Sequence, residues 1–305
     1  MHEQCQNIAH IRKRSCLFNV YSVWLFTRSD LKTIIVPSAL FGIFNSVALS
    51  LDTNNALVFG WSQVLLRLPM VVFWLWINLL PFNIDNQRQG RAILEDKVNK
   101  PWRPIPSGRM TPTEATILMF CLYPVAVYIS LWIGGVRQCL ALMWLGFSYN
   151  ELNLADRSWF SRNAINALGF CFFTSGALEV SISMHLPLSH KWFGVICAVV
   201  FSTVQTQDMA DQEGDRLRNR RTMPLALGDE TARWLTAVSM AVWSIICPRF
   251  WPLSVGPSFI FAGLGACVAY RTVALRSIGA DKRTFLLWNV WMAVLYSLPL
   301  FAVIL

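Results

Sequence analysis

The sequence is poor in charged residues, and this shortage narrows the class of protein. Charged residues make up 14% of its 305 residues, against about 25% in soluble globular domains. Hydrophobic residues reach 55%. A soluble fold is therefore not expected.

Metal-binding histidine and cysteine patterns are also missing. The eight cysteines include no CxxC or other metal-ligand spacing. The four histidines occupy terminal or loop positions, namely His2, His10, His185 and His190. A zinc site and a histidine-based catalytic triad are thus not indicated.

Long apolar runs are the main feature that is present. A helix needs about 20 residues to cross a hydrocarbon core of about 30 Å, and nine runs reach or approach that length. They are Leu31–Leu51, Ala56–Leu80, Ala115–Gly134, Gln138–Tyr149, Ala164–Ile182, Trp192–Val204, Trp234–Cys247, Trp251–Val273 and Phe285–Leu305. We predict an all-α integral membrane protein of about nine transmembrane helices.

The basic residues alternate from loop to loop under this nine-helix topology. Of the 26 Lys and Arg residues, 22 fall on one side of the membrane and three on the other, with Arg67 inside a helix. Basic loops are retained in the cytosol, so the N-terminus is predicted to be cytosolic. The net charge of +9 is then assigned to the membrane surface, and no nucleic-acid partner is expected.

The clearest acidic cluster follows the sixth apolar run, at residues 207–216. Asp208, Asp211 and Asp215 have the spacing i, i+3, i+7, which on a helix places all three on one face. Carboxylates so arranged suit Mg²⁺, which binds one or two carboxylates, waters and phosphate oxygens. The alternative is a solvated helix end whose acids pair with nearby arginines, namely Arg216, Arg218, Arg220 and Arg221.

A second polar segment, residues 83–109, follows the second apolar run. Its three prolines, Pro101, Pro104 and Pro106, exclude a regular helix and predict an extended loop. The loop is predicted to end where Thr111 caps a new helix.

This loop also carries basic residues toward the predicted mouth of the bundle. Lys100, Arg103 and Arg109 could hold a diphosphate through charged hydrogen bonds. They could equally be positive-inside anchors, and both interpretations stay open.

These two segments resemble the motifs of the UbiA superfamily of intramembrane prenyltransferases. The family motif DxxDxxxD is intact as Asp208, Asp211 and Asp215, and the run Asn99–Gly108 is also similar to the family. The resemblance implies a UbiA-type bundle over residues 31–305, after a cytosolic segment 1–30. It also implies a central cavity, cytosolic metal-binding loops, Mg²⁺ and a prenyl diphosphate substrate.

The first family motif, NDxxDxxxD, is altered in this chain. Aligning its last position on Asp96 puts Arg88, Gln89 and Ala92 at positions where the family has Asn, Asp and Asp. An insertion of two residues would instead leave Asn86, Glu95 and Asp96 as candidate metal ligands. The second motif would supply Asp208, Asp211 and Asp215.

The altered motif is similar to that of fungal UbiA-type terpene cyclases. That similarity implies Mg-dependent cyclisation of farnesyl diphosphate, or less preferably geranylgeranyl diphosphate, in secondary metabolism. The alternative is a prenyltransferase with an aromatic or polyketide acceptor, and a third possibility is a non-catalytic membrane protein.

The resemblance also implies roles for individual residues. Asp208, Asp211, Asp215 and Asp96 are the expected catalytic residues, and five basic residues are expected to bind the diphosphate: Lys100, Arg103, Arg109, Arg220 and Arg221. The expected location is the endoplasmic reticulum membrane, without an obligate protein partner.

Overall fold

The described part of the chain is mostly helical. A computed structural model gives residues 14–52, 61–183 and 190–304, and no strand occurs within these ranges. The helices, in chain order, are α1 (Cys16–Thr27), α2 (Val36–Asp52), α3 (Trp61–Arg88), α4 (Gly90–Asn99), α5 (Pro112–Ile133), α6 (Val136–Asn150), α7 (Leu154–Arg157), α8 (Trp159–Ile182), α9 (His190–Thr203), α10 (Gln212–Arg218), α11 (Met223–Leu227), α12 (Asp229–Phe250), α13 (Val255–Ala274) and α14 (Ile278–Ile304). A 3₁₀ turn (Arg28–Asp30) and a π turn (Leu31–Ile35) join α1 to α2.

Among the described residues, the nine longest helices form a closed ring. Each of α2, α3, α5, α6, α8, α9, α12, α13 and α14 contacts the next in chain order, and α14 contacts α2. Helix α8 also packs against α2 and α3 across the ring. The core between them is aromatic and aliphatic, with Trp74, Trp288 and Trp291 fully buried.

Several of these helices are long and apolar enough to cross a membrane. Six stretches meet that test: Cys16–Leu51, Trp61–Arg88, Pro112–Ile133, Trp159–Ile182, Val255–Ala274 and Ile278–Ile304. A seventh results if the bent pair Lys191–Gln207 and Gln212–Arg218 is one span. The boundary predicted at residue 30 falls inside the first stretch.

Each predicted apolar run coincides with a helix over most of its described length. Helices α6 and α9 have 15 and 14 residues, fewer than the about 20 needed to span a bilayer. The count of nine spans therefore stays a prediction. Residues 1–13 of the predicted N-terminal segment, residues 56–60, Leu305 and three histidines (His2, His10 and His185) lie outside the described residues.

The proline-rich segment is compact rather than extended, which corrects the sequence prediction. Backbone hydrogen bonds close successive turns, from Arg103 N to Lys100 O at 3.0 Å and from Arg109 N to Pro104 O at 2.9 Å. Proline fixes a φ near −65°, which suits turns as well as extended chain. The predicted cap is confirmed, because Thr111 and Glu114 form a reciprocal capping box at the start of α5.

A buried tryptophan determines how closely α3 and α8 approach. The indole Nε1 of Trp74 donates to Ser130 Oγ of α5 at 2.9 Å, and its ring is fully buried. A Cβ atom at Gly176 of α8 would lie 2.0 Å from Cη2 of Trp74. Since the indole is held by packing and by this hydrogen bond, only glycine fits at position 176.

We predict that Gly176→Ala lowers the stability of the bundle. Overpacking a filled core costs about 1–3 kcal/mol, which a thermal unfolding midpoint in detergent would detect. Gly263→Ala is the matched control, because a Cβ atom there meets nothing within 4 Å and alanine favours the helix. Equal midpoints for the two variants would contradict this account of the α3–α8 contact.

Candidate functional site

A cavity of about 490 Å³ lies within the helix ring. Its volume falls within the range of about 300–1,000 Å³ typical of ligand pockets. Its charged lining residues are Arg28, Asp30, Lys32, Glu95, Lys100, Arg103, Arg162, Asp208, Asp211, Arg220 and Lys282. Its aromatic lining residues are Phe82, Trp102, Tyr149, Phe170, Phe173 and Phe285.

The cavity changes from charged to aromatic along α8. Arg162 lies in the first turn of that helix, while Phe170 and Phe173 line the cavity two to three turns later. At about 1.5 Å per residue, Phe173 lies roughly 16 Å further along the axis than Arg162. The space therefore has a charged end and an apolar interior.

The second acidic motif bends, which corrects the prediction that its aspartates share one helical face. A 3₁₀ turn ends at Gln207 and α10 begins at Gln212, and the helical segments Lys191–Gln207 and Gln212–Arg218 meet at 95°. The Asp211 carbonyl oxygen accepts a hydrogen bond from Asn99 Nδ2 at 3.1 Å. The helix is therefore interrupted by a turn at residues 208–211, and this turn contacts α4.

Helix α10 packs directly on α4 at this point. A Cβ atom at Gly214 would lie 2.2 Å from Asn99 Nδ2. Glycine therefore allows the two acidic segments, which lie in residues 83–109 and 207–216, to touch. The sequence places these segments over 100 residues apart, and the contact joins them at the charged end of the cavity.

Asp208 and Asp211 both line the cavity, and each has a basic partner from another part of the chain. Asp208 Oδ1 accepts from Arg162 Nη2 at 2.8 Å. Asp211 Oδ2 lies 3.3 Å from Lys100 Nζ. Arg162 also donates to the hydroxyl oxygen of Tyr149, so this arginine links the motif to the cavity wall.

Asp96 and Asp215 lie buried behind that surface, each with one oxygen paired. Asp96 Oδ1 accepts from Arg103 Nη1 at 2.7 Å, and Asp215 Oδ1 accepts from Arg220 Nη1 at 3.2 Å. The second oxygen of each carboxylate, Oδ2, is buried and has no hydrogen-bond partner among the described residues. Each of these two acids therefore retains a free acceptor.

Glu95 is held by two arginines that follow the second motif. Its Oε2 accepts from Arg218 Nη1 at 3.1 Å and its Oε1 from Arg220 Nη1 at 3.2 Å. Burial alone raises the pKa of Glu95, but Arg220 and Arg218 outweigh it and hold that pKa at about 2. Asn86 joins the group, since its Oδ1 accepts from Arg218 Nη1 at 3.1 Å.

The structure brings together most, but not all, of the sequence-predicted basic residues. Lys100, Arg103 and Arg220 line the cavity. Arg109 instead packs on α1, with its guanidinium carbon 4.1 Å from the Phe18 ring centroid. Arg221 is exposed and does not line this cavity.

Among the residues that sequence reasoning missed are Arg162 and Asp156, which pair with charged residues of the site. Arg162 was counted only as a basic loop residue, yet it binds Asp208. Asp156, in α7, lies outside both motifs, yet it binds Arg218 and Arg220. The scarcity of acids in the chain was the available signal for Asp156, because a carboxylate next to a membrane bundle is costly without a task.

The carboxylates suit a divalent cation chemically but are paired with basic groups here. Within the described ranges, no three His, Cys, Asp or Glu side chains converge closely enough to hold a metal ion. The free Oδ2 atoms of Asp96 and Asp215 are hard oxygen donors of the kind that Mg²⁺ prefers. The residues therefore fit Mg²⁺ in donor type, and holding it would require their carboxylates to move closer together.

Comparisons with known proteins agree with this architecture. The somaliensene A/B synthase of Streptomyces somaliensis is 27% identical over 290 residues, covering 92% of this chain and 93% of that protein. The fumagillin beta-trans-bergamotene synthase of Aspergillus fumigatus is 29% identical over 252 residues, covering 80% of each chain. Both relatives therefore match this chain over most of its length.

A solved structure shares the fold. The UbiA homologue from Archaeoglobus fulgidus bound to DMAPP and Mg²⁺ superposes with a TM-score of 0.57 at 14% identity, covering 90% of this chain and 98% of that one. The model of the UbiA prenyltransferase family matches residues 35–291. That match begins just before α2 and ends within α14, so it covers nearly the whole helix ring. The chain therefore belongs to the UbiA prenyltransferase family, an enzyme family of terpene synthases and prenyltransferases.

Proposed function

We propose that this protein is a membrane-bound, Mg-dependent terpene cyclase of secondary metabolism, acting on a linear prenyl diphosphate, with farnesyl diphosphate favoured. The observation that carries the proposal is the cavity, whose charged end continues into an aromatic interior. A prenyl diphosphate has the matching form, with a polyanion at one end and a hydrocarbon chain at the other. Two relatives named as synthases support the same reaction class.

We further propose that Asp208, Asp211, Asp215 and Asp96 hold the metal, with Asn86 and Glu95 nearby. When bound, Mg²⁺ neutralises the negative charge that develops on the departing diphosphate. The likeness to a homologue whose structure contains Mg²⁺ supports this assignment. Of the four aspartates, Asp208 and Asp211 line the cavity, so they are the two that a metal ion in the cavity would contact directly.

The diphosphate would be bound by cations already present at the charged end of the cavity. Lys100, Arg103 and Arg220 are the proposed contacts, and Arg162 is added because it lines the same surface. Such donors stabilise a leaving anion strongly in a site that excludes water. Arg109 and Arg221 are left out, because neither lines the cavity.

The aromatic interior would shield the allylic cation and guide its folding. Aromatic faces attract a cation by about 0.5–2 kcal/mol each. Phe170 and Phe173 line this part of the cavity. In a cyclase the substrate's own double bonds capture the cation, and diphosphate is released without an acceptor.

The second candidate function is transfer of the prenyl group to an aromatic or polyketide acceptor. It is favoured by the matching family model, which is named for prenyltransferases. A transferase needs an acceptor before it yields a stable product, and this requirement separates the two functions. For either function we propose a cytosolic N-terminus, from the distribution of basic residues, and the endoplasmic reticulum as the membrane, from the family resemblance.

We predict that microsomes containing the protein convert farnesyl diphosphate into a cyclic sesquiterpene when Mg²⁺ is present and no acceptor is added. Gas chromatography with mass spectrometry would detect the hydrocarbon, and microsomes without the protein are the control. If neither farnesyl nor geranylgeranyl diphosphate yields a hydrocarbon, while an added aromatic acceptor is prenylated, the transferase is the correct assignment.

Asp211→Asn is predicted to reduce diphosphate release at least about 100-fold, because a neutral amide is a poor ligand for Mg²⁺. The release of inorganic pyrophosphate from the substrate measures this directly. Glu213→Gln is the matched control, since Glu213 lies two residues away and is exposed. Equal rates for both variants would remove Asp211 from the metal site.

Phe170→Leu is predicted to change the product mixture while pyrophosphate release stays within a few-fold of the parent. Leucine keeps the site apolar but loses the ring face, and the charged end is untouched. Phe160→Leu is the control on the same helix, because Phe160 is 58% exposed. An unchanged product mixture in Phe170→Leu would place the cyclising cation elsewhere.

A further inference from the structure

Asp156 connects α7 to the segment that follows the second acidic motif. Its Oδ2 accepts from Arg218 Nε at 2.9 Å, and its Oδ1 accepts from Arg220 Nε at 2.9 Å. Its backbone carbonyl oxygen accepts from the amide of Arg221, also at 2.9 Å. Three of the four residues 218–221 are therefore tied to this one aspartate.

The two guanidinium groups lie between two carboxylates. Each arginine donates Nε to Asp156 and Nη1 to Glu95. The arginine side chains are only 2% and 4% exposed, and the Glu95 side chain is 7% exposed. Because the guanidinium fork is rigid, contacts on two sides determine the plane of each group.

Arg220 is the arginine of this pair that lines the cavity, and Glu95 lines it as well. Asp156 lies behind them, bound to Arg220 but absent from the described cavity wall. The Nη1 atom of Arg220 donates to Glu95 and Asp215, while its Nη2 has no acceptor among the described residues. Arg220 thus keeps one uncommitted donor, and Asp156 is one of the three carboxylates that hold its guanidinium.

We propose that Asp156 is a positioning residue that orients Arg220 to receive the diphosphate oxygens, an inference that rests on the proposed function. Removing the charge of Asp156 would leave Glu95 shared between the two arginines, with Asp215 as the only other carboxylate in contact with Arg220 among the described residues. An asparagine can accept from only one Nε, and its amide group would face the other donor. Arg220 would then lose its fixed orientation at the charged end of the cavity.

The test is binding of inorganic pyrophosphate, with Mg²⁺, to the purified full-length chain in detergent. In Asp156→Asn we expect the dissociation constant for pyrophosphate to rise about tenfold, the scale of one charged hydrogen bond. The KM for the prenyl diphosphate should rise by a similar factor, with a smaller change in kcat. Asp156→Glu should restore most of the pyrophosphate affinity, because it restores the charge.

Asp229→Asn is the matched control for loss of an arginine-bound carboxylate. Asp229 accepts from Arg233 Nε at 2.8 Å and does not line the described cavity. Unchanged pyrophosphate affinity in Asp156→Asn, or an equal loss in Asp229→Asn, would overturn the proposal. If the parent binds pyrophosphate but turns over no prenyl diphosphate, the proposed function fails, while the pyrophosphate comparison still decides the role of Asp156.

Discussion

Charge neutralisation inside an apolar bundle is the constraint on which the charged end of this protein depends. Removing an ion from water costs several kcal/mol unless a partner is placed against it. The carboxylates of Asp96, Asp208 and Asp215 are almost fully buried, and each has an arginine within 3.2 Å. Arg103 and Arg220 lie in the segments that follow α4 and α10, and Arg162 lies in the first turn of α8, so these ion pairs join separate parts of the chain. These arginines offset part of the cost of burial, although burial still raises the pKa of Asp96 and of Asp215.

Much of the fold could be predicted from the sequence, because it depends on local properties. Apolar runs of sufficient length become helices, and the start of α5 follows from the side chain of Thr111 and its neighbours. The acidic motif also identified Asp208 and Asp211 as neighbours of one cavity. The family resemblance added the expected bundle, which the family match and the shared fold support. The number of helices that span the membrane depends on short helices that composition alone does not decide.

The partners of the buried charges could not be predicted, because they come from distant parts of the chain. Arg162 and Asp208 are separated by 46 positions, and Asp156 and Arg220 by 64. Spacing rules apply within one helix, so they assigned three aspartates to a common face where the chain bends by 95°. The proline rule correctly excluded a helix at residues 100–111 but did not separate tight turns from extended chain.

The contact of Gly214 with Asn99 has a mechanical consequence. With no side chain at position 214, α10 rests directly on the end of α4, and Asn99 also bonds to the Asp211 carbonyl. An outward movement of one acidic segment alone would break both of these contacts. The distance between the carboxylates of α4 and α10 therefore depends on a residue that carries no side chain of its own.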